Sequence, residues 1–320
     1  MNNLLELVVH RAWNDGEGVR LFDLRLKNQD TLPRFTAGAN IGVHINDDLV
    51  RHYSLCNNPK ESYRYIIAVA KAADSKGGSL WMHQHLKEGE TISISPPQNH
   101  FSLDESSAYS ILVAGGIGIT PMLAMMMSLE EQGKKWELHF VSRDKNRAPL
   151  LSQIIVMQNS LKFGIIHLYF SRAVPSSRLD LPAIISRASK DSHFYCCGPK
   201  SLLNDYIKCL EHVSSEKVHL EHFHSEQTAA NQGKFTIVLA RSGMEIDVNQ
   251  GQTVLDVLKK HSINISYACG EGVCGSCEVQ VLEGLPDHRD NVLSDTEKDE
   301  NKSMMVCCSG SISDRLILDL

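Results

Sequence analysis

The sequence predicts a multidomain protein in which an antiparallel β-barrel precedes a doubly wound α/β domain and a small cysteine-bearing domain. The length of 320 residues exceeds one ordinary domain. Short strands separated by Gly, Pro, Asn and Asp fill the first third of the chain, whereas strands alternate with helices in the middle third. Five of the nine cysteines lie between positions 269 and 308. These three observations predict three domains of different architecture.

Residues 1–103 contain six short segments with strand character and one helical segment at 79–89, which is typical of an antiparallel barrel or sandwich. In one strand, alternation places Arg51 and Tyr53 on one face and His52 and Ser54 on the other. Arg51 could hold a phosphate, Tyr53 could cover an aromatic ring, and Ser54 could bind a polar ring edge.

The helical segment of this region opens with Lys76-Gly77-Gly78-Ser79. Two glycines and a serine at a helix start, next to a lysine, are suited to binding a second phosphate. The alternative is a helix start with no ligand.

Residues 104–225 alternate nearly continuous apolar strands with helical segments, which indicates a parallel doubly wound sheet. The first of these strands runs into Gly115-Gly116-Ile117-Gly118-Ile119-Thr120-Pro121. We expect Thr120 to cap the next helix and Pro121 to occupy its first position, so that the helix start faces a dinucleotide pyrophosphate. The full G-x-G-x-x-G fingerprint is absent, and no acidic residue follows at the usual distance to hold a ribose.

Another strand of this region ends at Cys196 and Cys197 and is followed by Gly198-Pro199. Ligands bind at the carboxyl ends of strands in open α/β sheets, which favours a site here. Two buried, inert thiols are the alternative.

A polar segment at 226–234 is interpreted as a linker to a third domain at 235–320. That domain contains Cys269, Cys274 and Cys277, and then Cys307 after 29 residues, which is the C-x4-C-x2-C…C spacing of plant-type [2Fe–2S] centres. The intervening glycines allow the loop to curl around a cluster. A zinc site or structural cysteines are the alternatives, and the spacing favours Cys307 over the adjacent Cys308 as the fourth ligand.

The net charge of −6 is concentrated in residues 235–320, where 14 acidic residues face 7 basic ones. This distribution argues against nucleic-acid binding and allows an acidic docking face, although a solvated surface without a partner would look the same. No apolar run is long enough to span a membrane and no signal peptide is recognised, so we expect a cytoplasmic protein. No histidine pair has metal-ligand spacing with matching carboxylates.

The motifs RHYSL, GGIGITP with YCCGP, and C-x4-C-x2-C…C occur in one order along the chain. That order resembles the phthalate dioxygenase reductase family, the FMN-containing reductases of two-component Rieske oxygenases, to which reductase subunits of vanillate demethylase and carnitine monooxygenase are similar. The resemblance extends over essentially the whole chain. It implies FMN, NADH and a β-grasp [2Fe–2S] domain, with hydride transferred to the flavin and single electrons leaving through the cluster to a terminal oxygenase.

The resemblance also implies roles for matching residues. Gly78 and Ser79 would hold the FMN phosphate, Cys197 would lie near the nicotinamide, and Phe223 would pack beside the flavin. Members that prefer NADH often carry an acidic residue where this chain has Ser171-Arg172, and Ser142-Arg143 ends the preceding strand. Because arginine accepts a ribose 2′-phosphate, use of NADPH as well as NADH is a prediction, with two plain surface arginines as the alternative.

We assign no catalytic acid, base or nucleophile, because the cofactors carry the redox chemistry. The functional alternatives are a stand-alone NAD(P)H-dependent oxidoreductase that acts on a small molecule, and a redox or iron sensor. The candidate cofactor-binding residues are Arg51, His52, Tyr53, Ser54, Lys76, Gly78, Ser79, Gly115, Gly116, Gly118, Thr120, Ser142, Arg143, Ser171, Arg172, Cys197, Gly198, Pro199 and Phe223, and the candidate cluster ligands are Cys269, Cys274, Cys277 and Cys307.

Overall fold

A computed structural model describes residues 4–28, 30–46, 49–71, 77–173, 177–223, 233–267, 270 and 272–320. The chain divides into two compact units, Met1–Phe223 and His224–Leu320. The predicted flavin and nucleotide domains both lie in the first unit. The predicted linker lies outside the described residues except for Gly233 and Lys234. Among the described residues, no helix has the length and apolar character that a membrane crossing requires.

The first part of unit 1 is a six-stranded antiparallel sheet with the strand order β4-β3-β6-β1-β2-β5. Its elements are β1 (Leu5–Asn14), β2 (Val19–Arg25), β3 (Asn40–Asn46), β4 (Leu49–Ser54), β5 (Tyr65–Ala70), α1 (Gly78–Gln84) and β6 (Thr91–Ile94). An antiparallel bridge between Leu55 and Ile67 joins the two edges of the sheet. The sheet is therefore closed, and the barrel alternative is the one that forms.

Helix α1 ends five residues before the predicted end at position 89. The backbone N–H of Lys87 donates to the Glu90 side chain at 2.7 Å, and Gly89 adopts φ 88°. Both features favour a turn into β6 over a further helical turn.

The second part of unit 1 is a five-stranded sheet with the order β11-β10-β7-β8-β9, in which every pairing is parallel. Its elements are β7 (Tyr109–Gly115), α2 (Ile119–Glu131), β8 (Lys135–Ser142), α3 (Leu151–Gln158), β9 (Gly164–Phe170), α4 (Leu181–Ser186), β10 (Ser192–Cys197), α5 (Lys200–Leu210) and β11 (Val218–Glu221). Strand order reverses between β7 and β10, which makes their carboxyl ends the switch point where such sheets bind ligands.

The barrel and the parallel sheet share one hydrophobic core. Barrel residues such as Leu21 and Phe101 belong to the same buried cluster as Met122 and Met125 of α2. Ring contacts continue this cluster, since Phe101 packs edge-on against Tyr195 of β10 with centroids 6.0 Å apart. Shared burial of this kind explains why the two predicted domains form one compact unit.

Unit 2 has a mixed sheet with the order β13-β12-β18-β14-β16, in which β12 and β18 are parallel. Its elements are β12 (Phe235–Leu239), β13 (Met244–Val248), α6 (Val254–Lys260), β14 (Glu278–Glu283), β15 (Pro286–Asp287), α7 (Asp295–Glu300), β16 (Ser303–Met305), β17 (Gly310–Ser311) and β18 (Arg315–Leu318). Helix α6 is capped at Thr253 by a capping box with Asp256 and packs its apolar face on this sheet. A helix packed on a mixed sheet agrees with the β-grasp fold that the family resemblance implied.

Candidate functional site

The turns after β7 and β10 touch each other at the switch point. A Cβ atom added at Gly118 would lie 2.1 Å from the carbonyl oxygen of Cys197, and one added at Gly115 would lie 2.6 Å from Pro199 Cδ. Side chains at these positions would force the two backbones apart. The structure thus brings together the two nucleotide-binding segments that the sequence predicted separately.

The helix after the first turn starts earlier than predicted. A 3₁₀ turn at Gly116–Gly118 leads directly into α2, whose first residue is Ile119. The Thr120 hydroxyl donates to the carbonyl oxygen of Ile117 at 3.0 Å, so it does not cap the helix. The prediction that Thr120 is the N-cap and Pro121 the first helical residue was wrong. The glycines form a 3₁₀ turn, which extends the helix towards earlier residues.

The barrel contributes Arg51 and His52 from β4. The Arg51 side chain lies against Gly78, where an added Cβ would meet Arg51 Cγ at 2.7 Å. His52 Nδ1 is 2.8 Å from Asn40 Oδ1, and its buried Nε2 has no hydrogen-bond partner among the described residues. A guanidinium beside a glycine turn fits a flavin phosphate, and the buried imidazole nitrogen without a partner fits a polar ring edge. Lys76 lies outside the described residues.

Tyr53 lies in β4 beside Ser54 and packs against the barrel core. Burial raises the pKa of the Tyr53 phenol to about 12, so the ring is neutral at physiological pH. Phe223 follows the last strand of the sheet and packs against the shared core of the unit.

Ser54, Cys197 and Glu221 meet where the barrel faces the carboxyl ends of β10 and β11. Cys197 and Glu221 are cross-strand neighbours in the parallel register, and the Ser54 hydroxyl donates to Glu221 Oε2 at 3.4 Å. Burial, and then the adjacent Glu221, raise the pKa of the Cys197 thiol well above its usual value. The thiol is therefore neutral and the site carries no thiolate nucleophile.

The sequence analysis did not identify Glu221. Burial raises the pKa of this carboxyl to about 8, although Ser54 and Cys197 favour ionisation. The only sequence signal for it was a position at the carboxyl end of a short polar strand, Val-His-Leu-Glu. Its partner Ser54 is 167 residues away in the chain.

We expect Glu221→Gln to remove a pH dependence of stability. The carboxyl has an ordinary pKa of 4.5 and a folded-state pKa of about 8. Its contribution to stability is fully present below pH 4.5 and is lost as pH rises through about 8, with a slope of up to about 1.4 kcal/mol per pH unit. Chemical unfolding followed by circular dichroism at pH 5.5 and 8.5 measures the difference.

Glu211→Gln is the matched control, because Glu211 is an exposed residue that follows α5. This control should retain the wild-type fall in stability between the two pH values. Equal pH dependence in Glu221→Gln and wild type would show that the carboxyl titrates normally.

The two serine–arginine pairs end neighbouring strands. The Ser171 N–H donates to the Ser142 carbonyl at 3.1 Å, and the Arg172 N–H donates to the Arg143 carbonyl at 2.8 Å. Both arginine side chains are exposed. The pairs therefore lie side by side at the carboxyl edge of the sheet, where two guanidinium groups are available to a phosphate.

Unit 2 contains the candidate metal centre. Cys274, Cys277 and Cys307 are each at least 97% buried, and Cys269 lies outside the described residues. Gly270, Gly272 and Gly275 all have φ between 66° and 72°, as the curled loop required. The Asn291 N–H holds this loop by donating to the Gly272 carbonyl at 2.9 Å. These three glycines thus have the backbone angles that a curl around a cluster requires.

Cys308 is buried beside Cys307, and its thiol contacts neighbouring polar groups of the chain. Its Sγ donates to the carbonyl oxygen of Met305 at 3.6 Å and lies 3.8 Å from Ser309 Oγ. The choice of Cys307 as the fourth ligand stays a prediction from the cysteine spacing.

Known proteins are similar to the cluster domain alone and to the whole chain. Residues 237–310 match the 2Fe-2S iron-sulfur cluster binding domain. The chain is 41% identical to the phenoxybenzoate dioxygenase subunit beta of Ectopseudomonas oleovorans, covering 99% of this chain and 97% of the relative. It is also 41% identical to the tetrachlorobenzoquinone reductase of Sphingobium chlorophenolicum, covering 99% and 98%.

A solved structure of phthalate dioxygenase reductase is similar over 99% of this chain and 98% of that chain. The sequence identity is 33% and the TM-score is 0.73. That structure is described as modular, for electron transfer from pyridine nucleotides to [2Fe–2S]. The similarity therefore includes all the motifs discussed above.

Proposed function

Because the chain belongs to the phthalate dioxygenase reductase family, we propose that it transfers electrons from NAD(P)H through FMN and a [2Fe–2S] cluster to a terminal Rieske-type oxygenase. One observation carries this proposal. Ser54 of the barrel meets Cys197 and Glu221 at the switch point of the parallel sheet. A flavin held by the barrel would therefore lie next to a nicotinamide held at the switch point, and the cluster domain follows in the same chain.

In this proposal the protein positions the cofactors and tunes their surroundings. Arg51 and the Gly78-Ser79 turn hold the flavin phosphate, while Ser54 orients the ring edge. The contacting turns at Gly115–Gly118 and Cys197–Pro199 bind the pyrophosphate. When bound, flavin accepts two electrons as hydride and the cluster carries them singly, which is why no acid or base is assigned.

An anaerobic titration with NADH, and separately with NADPH, tests the proposal. Flavin and cluster absorption should both bleach, with about three electrons taken up per chain. The better nucleotide shows whether Arg143 and Arg172 serve a 2′-phosphate. Failure of both nucleotides to bleach the flavin would contradict the proposal and favour a sensor.

The acidic face of unit 2 is the proposed docking surface for the oxygenase. The segment before α7 lies against the cluster loop through the Asn291–Gly272 hydrogen bond. Helix α7 follows with the exposed acids Asp295, Asp299 and Glu300. Negative charge close to the cluster would attract a partner with a basic docking surface.

We expect Asp299→Lys to slow electron transfer to the oxygenase by about tenfold at low salt, because steering is weakened. Raising the ionic strength should slow wild type towards the rate of the variant, while flavin reduction by NADH stays unchanged. Stopped-flow absorption at the flavin and at the oxygenase separates the two steps.

Asp205→Lys on α5 is the control for an added positive charge, since Asp205 is also exposed. It should leave both rates unchanged. Equal effects of salt on both steps would contradict docking through the acidic face.

A second candidate function is supported by the tetrachlorobenzoquinone reductase relative. In that case a small quinone would accept electrons directly from this chain. Turnover of NADH with tetrachlorobenzoquinone and no oxygenase distinguishes this function from the first. Under the main proposal the protein works in the cytoplasm, where reducing conditions preserve free cysteines.

A further inference from the structure

Strands β8 and β9 bring Glu137, His139 and His167 to one face of the parallel sheet. His139 and His167 are direct cross-strand partners, and Glu137 precedes His139 by two residues on the same face. One ligand atom from each residue lies within 4.8 Å of the others. Glu137 Oε2 is 3.4 Å from His139 Nε2 and 3.7 Å from His167 Nε2.

His139 is fully buried and its two nitrogens have different surroundings. Nδ1 lies 3.0 Å from the Tyr169 hydroxyl, whereas Nε2 has no hydrogen-bond partner among the described residues. Glu137 Oε2 approaches this nitrogen to 3.4 Å. A histidine that binds a metal usually uses its second nitrogen for a fixed polar contact, and Tyr169 provides that contact here. The unpartnered Nε2 is aimed at the other two ligands.

We propose that Glu137, His139 and His167 form a binding site for a divalent transition ion, with Zn²⁺ as the preferred occupant and water as the fourth ligand. Two imidazoles and one carboxylate form a known catalytic-type zinc ligand set. Bonds of about 2.0–2.1 Å in a tetrahedron place ligand atoms about 3.3 Å apart. The two Glu137 distances are close to that value.

One ring must turn when the ion binds. The His139 and His167 rings are stacked, with centroids 4.7 Å apart and an interplanar angle of 8°. A metal lies near the plane of each imidazole that binds it, so the two planes cannot stay parallel. His167 belongs to an edge strand and its side chain is 38% exposed, so its ring is free to rotate about its broad terminal torsion.

One charged neighbour competes with a cation for the Glu137 carboxylate. Arg187 Nη2 lies 3.4 Å from Glu137 Oε2 and its side chain is half exposed. The guanidinium satisfies the carboxylate without metal and turns out to solvent when the ion replaces it.

Metal analysis of the cluster-loaded protein after equilibrium dialysis against Zn²⁺ tests the site. Loading the cluster first occupies its thiolates, which would otherwise bind zinc themselves. Wild type should bind one zinc per chain at this site. His167→Ala should weaken that affinity by at least about tenfold, and because His167 is partly exposed the variant should still fold.

His212→Ala is the matched control, because His212 is an exposed histidine of the same unit. It should bind zinc as wild type does. Arg187→Ala should bind zinc more tightly than wild type, because the competing guanidinium is gone. No zinc in wild type, or the same zinc content in His167→Ala and wild type, would show that the three residues form a hydrogen-bond and charge cluster only.

Discussion

Replacing Cys307 with serine is expected to abolish electron transfer beyond the flavin, because a serine hydroxyl does not replace a thiolate ligand to iron. The buried Cys307 is the proposed fourth ligand of the cluster. The purified variant should lack the cluster absorption of wild type. Reduction of its flavin by NADH should continue at the wild-type rate, since the nucleotide and flavin residues belong to unit 1.

Cys308→Ser is the matched control, one residue along the chain. Its thiol donates to the Met305 carbonyl, a contact that a hydroxyl can also make. This variant should keep the cluster and transfer electrons to the oxygenase. The reverse result, with Cys308→Ser empty and Cys307→Ser loaded, would assign the ligand to Cys308.

Gly118→Ala is expected to separate the two nucleotide-binding turns. The added Cβ would lie 2.1 Å from the Cys197 carbonyl oxygen and 2.8 Å from the Gly198 nitrogen, both of which are backbone atoms. Because Gly118 has φ −61°, alanine can adopt its backbone angle without strain. The variant should therefore lose only the close contact between the two turns. We expect a loss of about 1–3 kcal/mol in stability and hydride transfer slower by about tenfold to a hundredfold.

Stopped-flow bleaching of the flavin by NADH measures the rate, and chemical unfolding measures the stability. Gly233→Ala is the control, since an added Cβ there meets no atom within 4 Å. A wild-type rate of flavin reduction in Gly118→Ala would mean that contact between the turns does not position the nucleotide.

The sequence predicted correctly those features that local patterns encode. Apolar strands alternating with helices were sufficient to predict the parallel sheet. The cysteine spacing was sufficient to predict the [2Fe–2S] domain that the family model matches at 237–310. The start of α2 was missed because three glycines permit a 3₁₀ turn that no capping preference reveals. Local signals therefore predicted which elements form more accurately than they predicted the residue at which each element begins.

Features that depend on distant residues could not be predicted. Glu221 acquires its environment from Ser54, and His139 meets His167 only through the register of β8 and β9. A cross-strand pair has no fixed separation in sequence, so histidine spacing alone could not indicate that these two side chains meet. Such sites become visible only once the strand order is known.

The shared core of unit 1 also constrains how this protein can be recombined with its relatives. A chimaera that joins residues 1–103 of one reductase to the nucleotide half of another must match Leu21 and Phe101 to the methionines of α2, which are packed in one cluster. No described core cluster includes residues from both units. A chimaera should therefore be joined between residues 224 and 232. The unit that receives electrons from the nucleotide is then exchanged as one piece, and the cluster domain that passes them on is exchanged as another.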